Sequence, residues 1–240
     1  MPKIALVTGA NKGIGLEIAR QLGERGVTVV LGARDEVRGK QAADSLAAQG
    51  LDVATLRIDV TDDATITGAA AELERRHGRL DILVNNAGIA GAFHGPPSGT
   101  TRSGMREVFD TNVFGVVAVT NAMLPLLRRA EIGCVVNLAS NVGSLAWQAD
   151  PESPIKYVNL LAYQASKTAL SAVTLAYAKE LRDSGIKVNS ANPGHVATDI
   201  NNHAGTRTPS QGAVIAVRLA LLGADGPTGT NVDENGVVAW

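Results

Sequence analysis

A tyrosine and a lysine four residues apart, Tyr163 and Lys167, have the types and spacing that suit acid/base chemistry. They fall near the start of a helical pattern, where positions i and i+4 share one face. An isolated phenol ionises at about pH 10, which is too high for efficient proton transfer at neutral pH. A neighbouring ammonium stabilises the phenolate and lowers the phenol pKa. The pair therefore predicts an acid/base tyrosine, although such pairs also occur by chance in helices.

Two further polar residues, Ser140 and Asn112, could complete that site. Ser140 ends an apolar strand at residues 134–139, so its hydroxyl is expected in the crevice at the strand's carboxyl end. There it could donate to a carbonyl oxygen as negative charge develops, or it could simply form a turn. Asn112 lies within an apolar helical region and needs a partner. It could order a water molecule behind Lys167 or satisfy a kinked helix.

A glycine-rich segment at residues 8–15 joins the first apolar strand to the first helix, with the spacing Gly-x-x-x-Gly-x-Gly. Glycine permits a tight turn and lets backbone N–H groups approach a pyrophosphate, which the helix N-terminus also attracts. An ordinary strand-to-helix turn is the alternative, but the position at the first βα junction favours a dinucleotide site. The candidate cofactor residues in this loop are Gly9, Asn11, Lys12, Gly13, Ile14 and Gly15.

The end of the second strand indicates which dinucleotide binds. An NAD site carries an acidic residue about 20 residues after the loop, on the ribose 2′-hydroxyl. Here Ala33 stands at that position and Arg34 follows it, while Lys12 lies in the loop. Two cations and no acid suit a 2′-phosphate, so NADP(H) is expected unless both are merely solvated charges. Asp35, next to Arg34, could weaken the preference.

These residues need elements that bring them together. Short apolar runs occur at residues 4–7, 27–31, 53–58, 82–84, 135–138 and 186–188. Helical patterns alternate with them at residues 14–23, 35–49, 62–77, 102–129, 160–184 and 209–222. The alternation predicts a single α/β domain over residues 1–240, a Rossmann-like doubly wound parallel sheet with helices on both faces and the ligand at the strands' carboxyl ends. The run at 186–188 is the last clear strand, and residues 141–159 read as a long irregular loop.

Composition and charge exclude other classes. The net charge of −1 and pI of 6.4 leave no basic patch for nucleic acid. No run approaches the roughly 18 consecutive apolar residues of a membrane span, and no signal peptide is evident. Cys134 is the only cysteine, which fits a reducing cytoplasm. Four scattered histidines give no metal-ligand spacing, so no metal is expected.

Taken together, the motifs resemble the short-chain dehydrogenase/reductase family, and within it the carbonyl reductases most closely. They occur in family order over nearly the whole chain, as residues 8–15, Asp59, residues 85–88, Asn112, Ser140, Tyr163 with Lys167, and Pro193-Gly194. The likeness to the carbonyl reductases lies in residues 11–16, residues 30–35 and Trp240.

The resemblance implies NADPH-dependent reduction of a carbonyl to an alcohol by hydride transfer. Tyr163 would protonate the alkoxide, and Lys167 would bind the nicotinamide ribose and lower the Tyr163 pKa. Ser140 would orient the carbonyl, and Asn112 would hold a relay water. Besides the glycine-rich loop, Tyr163 and Lys167, the implied cofactor contacts are Arg34, Asp59, Val60, Asn86, Ala87, Gly88, Pro193, Gly194, Val196 and Thr198.

The substrate pocket is expected between residues 90–97, 141–159 and 195–204. Their apolar character favours a small-molecule ketone, aldehyde or quinone of apolar or aromatic type. The candidate wall residues are Ile89, Phe93, Leu145, Trp147 and Tyr157. Three alternatives stay open: a narrow biosynthetic ketoreductase of steroid, polyketide or alkaloid type, a non-catalytic NADP(H) sensor, and a partner-binding protein on the same scaffold.

One departure from the family concerns assembly. Ser140 and Tyr163 are 23 positions apart, more than in most of the family. The carbonyl reductases carry a still longer insertion here, which covers a surface that other members use to dimerise. This chain is intermediate, so monomer and homo-oligomer are both open.

Overall fold

One eight-stranded sheet runs through the computed structural model, which describes residues 2–92 and 95–240. The spatial order is β3-β2-β1-β4-β5-β6-β7-β8. All neighbouring strands pair in parallel except β7 and β8, which are antiparallel. The strands are β1 Ile4–Thr8, β2 Thr28–Ala33, β3 Val53–Arg57, β4 Ile82–Asn85, β5 Cys134–Leu138, β6 Lys187–Ala191, β7 Asn231–Asp233 and β8 Gly236–Val237.

Helices connect the parallel strands, as the alternating pattern predicts. They are α1 Gly13–Gly23, α2 Glu36–Ala47, α3 Asp63–His77, α4 Arg102–Phe109, α5 Gly115–Leu127, α6 Leu145–Ala149, α7 Leu161–Glu180 and α8 Pro209–Ala220. Short 3-10 turns occur at Pro97–Gly99, Asn141–Gly143, Arg182–Ser184 and Asp199–Asn201. The predicted single-domain, doubly wound α/β fold is therefore confirmed.

Two apolar cores cover the two faces of the sheet. Alternate strand residues point to opposite faces, so Val7 lies in the core with α1, α2 and α8, whereas Leu6 lies in the core with α3, α5 and α7. The same alternation separates Val136 from Val135 on β5. Because both faces are buried, most positions of β1, β2, β4 and β5 are apolar, which explains the continuous runs in the sequence.

The structure adds elements that the sequence pattern does not show. Two strands, β7 and β8, follow the last clear apolar run at residues 186–188, and they are too short and polar to form an apolar run themselves. Residues 141–159 are not wholly irregular, since they contain a 3-10 turn and α6. The hydroxyl of Ser144 caps α6 by accepting from the Trp147 N–H at 3.1 Å.

Within the described ranges, one helical stretch is long and apolar enough by composition to cross a membrane, although the sequence has no such uninterrupted apolar run. It is Arg102–Leu127, which combines α4, a π-turn and α5. Of the most apolar part of this stretch, 56% is buried inside the domain. Met123 and Leu127 of α5 lie in the core. A core helix passes the same compositional test, so this stretch is weak evidence for a membrane.

A buried row of polar side chains crosses the sheet near the carboxyl ends of its strands. Asn85, Asn137 and Ser190 are neighbours in register on β4, β5 and β6. Asn85 donates to Asn137 at 2.9 Å and to Thr120 on α5 at 3.1 Å. Thr174 on α7 accepts from Asn137 at 2.9 Å and from Ser190 at 3.0 Å. This polar row ties α5 and α7 to three strands in one arrangement.

Replacement of Thr174 by Val should destabilise the protein. The change keeps the shape but removes the acceptor shared by Asn137 and Ser190, and a buried unsatisfied group costs about 1–3 kcal/mol. Urea unfolding should therefore show a loss of about 2 kcal/mol.

The matched control is Thr67→Val, because both hydroxyls donate to the carbonyl four residues before them at 2.9 Å, but Thr67 is exposed. It should change the free energy of unfolding by less than about 0.5 kcal/mol. Equal losses in the two variants would refute the importance of the polar row.

Candidate active site

The first turns of α7 carry the tyrosine and lysine that the sequence singles out. Tyr163 is half-buried, whereas Lys167 is buried at 5% exposure. The Lys167 Nζ lies 5.6 Å from the centre of the Tyr163 ring and donates to the Leu138 carbonyl oxygen at 2.6 Å. Leu138 is the last residue of β5, so this bond fixes the ammonium at the carboxyl end of the sheet. The two side chains therefore share one helix face, as predicted.

Ser140 lies two residues beyond β5, and its hydroxyl shares a hydrogen bond with the Tyr163 phenol. The turn that follows packs tightly on α7: a Cβ on Gly143 would lie 2.7 Å from the Lys167 Cβ. The Thr168 hydroxyl also donates to the Gly143 carbonyl at 2.7 Å. Only a residue without a side chain allows this approach, which holds Ser140 beside Tyr163.

Burial shifts the pKa of both groups on α7. It raises the pKa of the Tyr163 phenol, and the hydrogen bond with Ser140 opposes this only in part. It lowers the pKa of Lys167 from 10.5 to about 8. Burial of the phenol outweighs the opposing hydrogen bond with Ser140. Lys167 is not among the causes of this shift, so its expected lowering of the Tyr163 pKa stays a prediction. At neutral pH the phenol is protonated and the lysine is mostly charged.

Asn112 lies in a π-turn, Asp110–Phe114, between α4 and α5, and is wholly buried. Its side-chain carbonyl accepts from the Ile89 N–H at 2.9 Å, and its amide donates to the Ile89 carbonyl at 2.8 Å. The amide also donates to the Ser166 hydroxyl at 3.0 Å, and that hydroxyl donates to the Tyr163 carbonyl at 2.7 Å. The side chain of Asn112 thus bonds to Ile89 and Ser166 and not to the kinked helix that carries it. The relay water stays a prediction.

The glycine-rich loop is joined to the segment after β4. The Asn86 amide donates to the carbonyls of Thr8 and Gly9 at 2.8 and 3.1 Å. The Thr8 hydroxyl accepts from the N–H groups of Asn86 and Ala87 at 3.0 and 3.1 Å. A Cβ on Gly15 would lie 2.6 Å from the Gly9 carbonyl oxygen, so the loop excludes a side chain there. Residues 9 and 86–88 are therefore brought together, with the Asn86 side chain turned to the backbone.

The N-terminus of α1 has the properties of a phosphate site. Lys12 is the N-cap but makes no side-chain capping bond, and the first turn carries no acidic residue. Its N–H groups thus have no side-chain acceptor among the described residues, and a pyrophosphate fits them. Gly9 and Gly13 have φ angles of +63° and +57°, which the loop requires.

The Lys12 ammonium forms an ion pair that the sequence did not suggest. It contacts the Asp199 carboxylate, which also lies 2.9 Å from the His203 Nε2. The hydrogen bond and charge of Lys12 lower the pKa of Asp199. Thr198 is adjacent, since its Cγ2 lies 3.5 Å from where a Gly13 Cβ would be. The loop after β1 and the segment after β6 therefore face each other at the N-terminus of α1.

The carboxyl ends of β2 and β3 form a basic region that includes an unanticipated residue, Arg57. Asp35 caps α2 by accepting from the Arg38 N–H at 3.0 Å, so its carboxylate is occupied by the helix. Asp59 accepts from the backbone N–H and hydroxyl of Thr61. Burial raises the Asp59 pKa, but the bonds from Thr61 and the charges of Arg34 and Arg57 outweigh it and lower that pKa.

A cavity of about 160 Å³ opens onto Tyr163. Its described lining carries no charged side chain and consists of Ala90, Gly91, Ala92, Gly95, Thr100, Gly104, Asn159, Leu160, Leu161, Ala162 and Tyr163. Leu160 and Ala162 were missed, although their proximity to Tyr163 in sequence was a usable signal.

The predicted walls fit this cavity only in part. Residues 90–97 contribute, but 141–159 contribute Asn159 alone and 195–204 contribute nothing among the described lining. Leu145 lines a separate groove, and Tyr157 is 88% exposed. Neither Ile89 nor Trp147 is in the described lining, and Phe93 lies outside the described residues.

Known proteins resemble this chain over most of its length. A family model described as short chain dehydrogenase matches residues 3–208. A (+)-neomenthol dehydrogenase from Capsicum annuum is 32% identical, covering 95% of this chain and 94% of its own. Carbonyl reductase (NADPH) 1 from Bos taurus is 33% identical, covering 99% and 98%. The solved NADPH-bound carbonyl reductase from chicken fatty liver has a TM-score of 0.87 at 28% identity, covering 100% of this chain and 99% of that chain.

The buried lysine predicts how stability depends on pH. The Lys167 pKa is lowered in the folded state, so between pH 8 and 10.5 the unfolded chain binds more protons at this position. The wild type should therefore gain stability relative to Lys167→Met as pH rises through this window, by about 3 kcal/mol. Urea unfolding of both proteins at several pH values measures the difference.

Lys179→Met is the matched control, because Lys179 is exposed on the same helix. Its stability should run parallel to that of the wild type over the same pH range. If the difference between wild type and Lys167→Met does not change with pH, the lysine is not desolvated as described.

Proposed function

The chain belongs to the short-chain dehydrogenase/reductase family of oxidoreductases, and from this premise we propose that it reduces a small-molecule carbonyl to an alcohol with NADPH, using Tyr163 as the general acid. The observation that carries the proposal is the arrangement on α7. Tyr163 opens onto the cavity, shares a hydrogen bond with Ser140 and has the Lys167 ammonium beneath it.

The chemistry divides between the cofactor and the side chains. NADPH, when bound, supplies the hydride that the carbonyl carbon receives. The Tyr163 hydroxyl gives its proton to the oxygen, which thereby becomes the alcohol hydroxyl. Because the pKa of Tyr163 is raised, the phenol is protonated at neutral pH and holds the proton that the oxygen receives. The Ser140 hydroxyl donates to the same oxygen and holds the carbonyl in place.

Lys167 stabilises the phenolate that remains after the proton has left. Its ammonium is held by the Leu138 carbonyl, and with a pKa of about 8 it is mostly charged at neutral pH. Lys167 also binds the nicotinamide ribose in this proposal. Asn112 positions a water that returns a proton to Tyr163 through Lys167.

The residues present fit NADP(H). Gly9, Gly15 and the uncapped N-terminus of α1 take the pyrophosphate, and Arg34 takes the 2′-phosphate. Asp35 is occupied as the cap of α2, which removes the acidic competitor next to Arg34. The remaining proposed contacts are those of Asn11, Lys12, Gly13, Ile14, Asp59, Val60, Asn86, Ala87, Gly88, Pro193, Gly194, Val196 and Thr198.

The substrate that we propose is apolar or aromatic, because the described lining of the cavity has no charged side chain. A relative named carbonyl reductase (NADPH) 1 supports reduction of a carbonyl with NADPH. Another relative is named for a single compound, (+)-neomenthol, so a narrow biosynthetic ketoreductase is kept as the second candidate beside a broad carbonyl reductase. A panel of an aromatic ketone, a β-keto ester, an α-diketone and a quinone separates the two candidates. A broad carbonyl reductase turns over several of these compounds, whereas a narrow ketoreductase turns over none of them.

We further propose a cytoplasmic location, because a single, buried cysteine suits a reducing compartment.

Replacement of Tyr163 by Phe tests the acid directly. NADPH oxidation with an accepted ketone should fall by roughly a hundredfold to ten-thousandfold, because the proton donor is lost while the ring is kept. The affinity for NADPH, followed by its fluorescence, should remain.

Tyr157→Phe is the control, because the substitution removes the same hydroxyl from a side chain that is 88% exposed and does not line the described cavity. It should leave turnover unchanged. Full activity in Tyr163→Phe would eliminate Tyr163 as the acid, and NADPH binding without turnover in the wild type would favour a sensor.

A further inference from the structure

Three arginines surround the place where β2 and β3 end, and they differ in how firmly they are held. The Arg38 Nε lies 3.4 Å from the Asp35 carboxylate, on the same turn of α2. The Arg57 Nε lies 3.8 Å from the Glu36 carboxylate, which is beyond hydrogen-bond distance. Arg34 is exposed beside them.

The register of the sheet places Arg57 next to the β2 end. Arg57 pairs with Ala33, the last residue of β2. Thr55, two residues earlier on β3, and Ala33 both face α2, since a Cβ on Gly39 would lie 2.8 Å from the Thr55 hydroxyl and 3.0 Å from the Ala33 Cβ. Side chains two apart on a strand share a face, so Arg57 lies on the α2 side, and its register partner Ala33 directly precedes Arg34.

Arg57 is also free to move. Its side chain is 59% exposed, and that of Glu36 is 69% exposed. An exposed pair at this separation is weak, so a better acceptor displaces the carboxylate at little cost. Arg34 and Arg57 both act on the same carboxylate, since the charge of each lowers the pKa of Asp59.

We propose that Arg57 is a second 2′-phosphate-binding side chain beside Arg34, and that Glu36 is the counter-charge that limits its contribution. The inference rests on the proposed function and adds a specificity determinant to it. A guanidinium binds phosphate oxygens through several N–H groups, and two of them enclose a phosphate better than one. NADH has no 2′-phosphate, so Arg57 discriminates between the two cofactors.

Calorimetric titration with two cofactor fragments tests this without turnover. Adenosine 2′,5′-bisphosphate carries the phosphate in question, and adenosine 5′-monophosphate lacks it. Arg57→Gln should weaken binding of the bisphosphate about tenfold and leave the monophosphate unchanged. Glu36→Gln should tighten the bisphosphate about threefold, because it removes the competing carboxylate. The ratio of the affinity for NADPH to that for NADH should likewise fall in Arg57→Gln and rise in Glu36→Gln.

Lys40→Gln is the matched control. It also removes one positive charge from the α2 region, but Lys40 pairs with Asp44 further along the helix. It should leave both fragments within about twofold of wild type. Arg57→Lys, which keeps the charge and loses the fork of donors, should fall between wild type and Arg57→Gln.

The possible failures are distinct. If the wild type prefers the bisphosphate and Arg57→Gln keeps that preference, or weakens both fragments equally, the role of Arg57 is wrong and the proposed function stands. If the wild type binds neither NADPH nor the bisphosphate, the proposed function and the inference both fall. Thermal melts of each variant ensure that the affinities belong to folded protein.

Discussion

A buried ammonium held against the end of a central strand is the constraint on which the rest of the site depends. Lys167 has little contact with water, and the Leu138 carbonyl accepts from its Nζ at 2.6 Å. Burying a charge is costly unless partners are fixed around it, and the lowered pKa of Lys167 records that cost. The helix that carries Lys167 must therefore dock on β5 in one position, and that position also sets Tyr163 beside Ser140.

Much of the surrounding structure secures this docking. The polar row beneath the site links α7 to β5 and β6 through Thr174, and Asn112 links the same helix to Ile89 through Ser166. Small residues then let the loops approach: a Cβ on Gly88 would crowd the Asn112 Oδ1 at 3.3 Å, and Gly143 excludes a side chain against Lys167. The catalytic arrangement is thus a consequence of packing at the carboxyl ends of three strands.

The sequence predicted what local pattern determines. Continuous apolar runs revealed the parallel strands, and the i, i+4 spacing placed Tyr163 and Lys167 on one face. It missed what depends on distant partners. β7 and β8 are too short and polar to show a pattern, and the pairing of Lys12 with Asp199 joins residues far apart in the chain. The direction of the Tyr163 pKa depends on burial, which no spacing reports.

The most direct test of the account is the fate of the hydride. Wild-type protein would be incubated with NADPH deuterated at the transferable C4 position and a panel of ketones, and the alcohol would be analysed by mass spectrometry. The account predicts one deuterium on the carbinol carbon, with turnover that requires the Tyr163 hydroxyl. Unlabelled alcohol, or tight NADPH binding with no alcohol from any ketone, would contradict it.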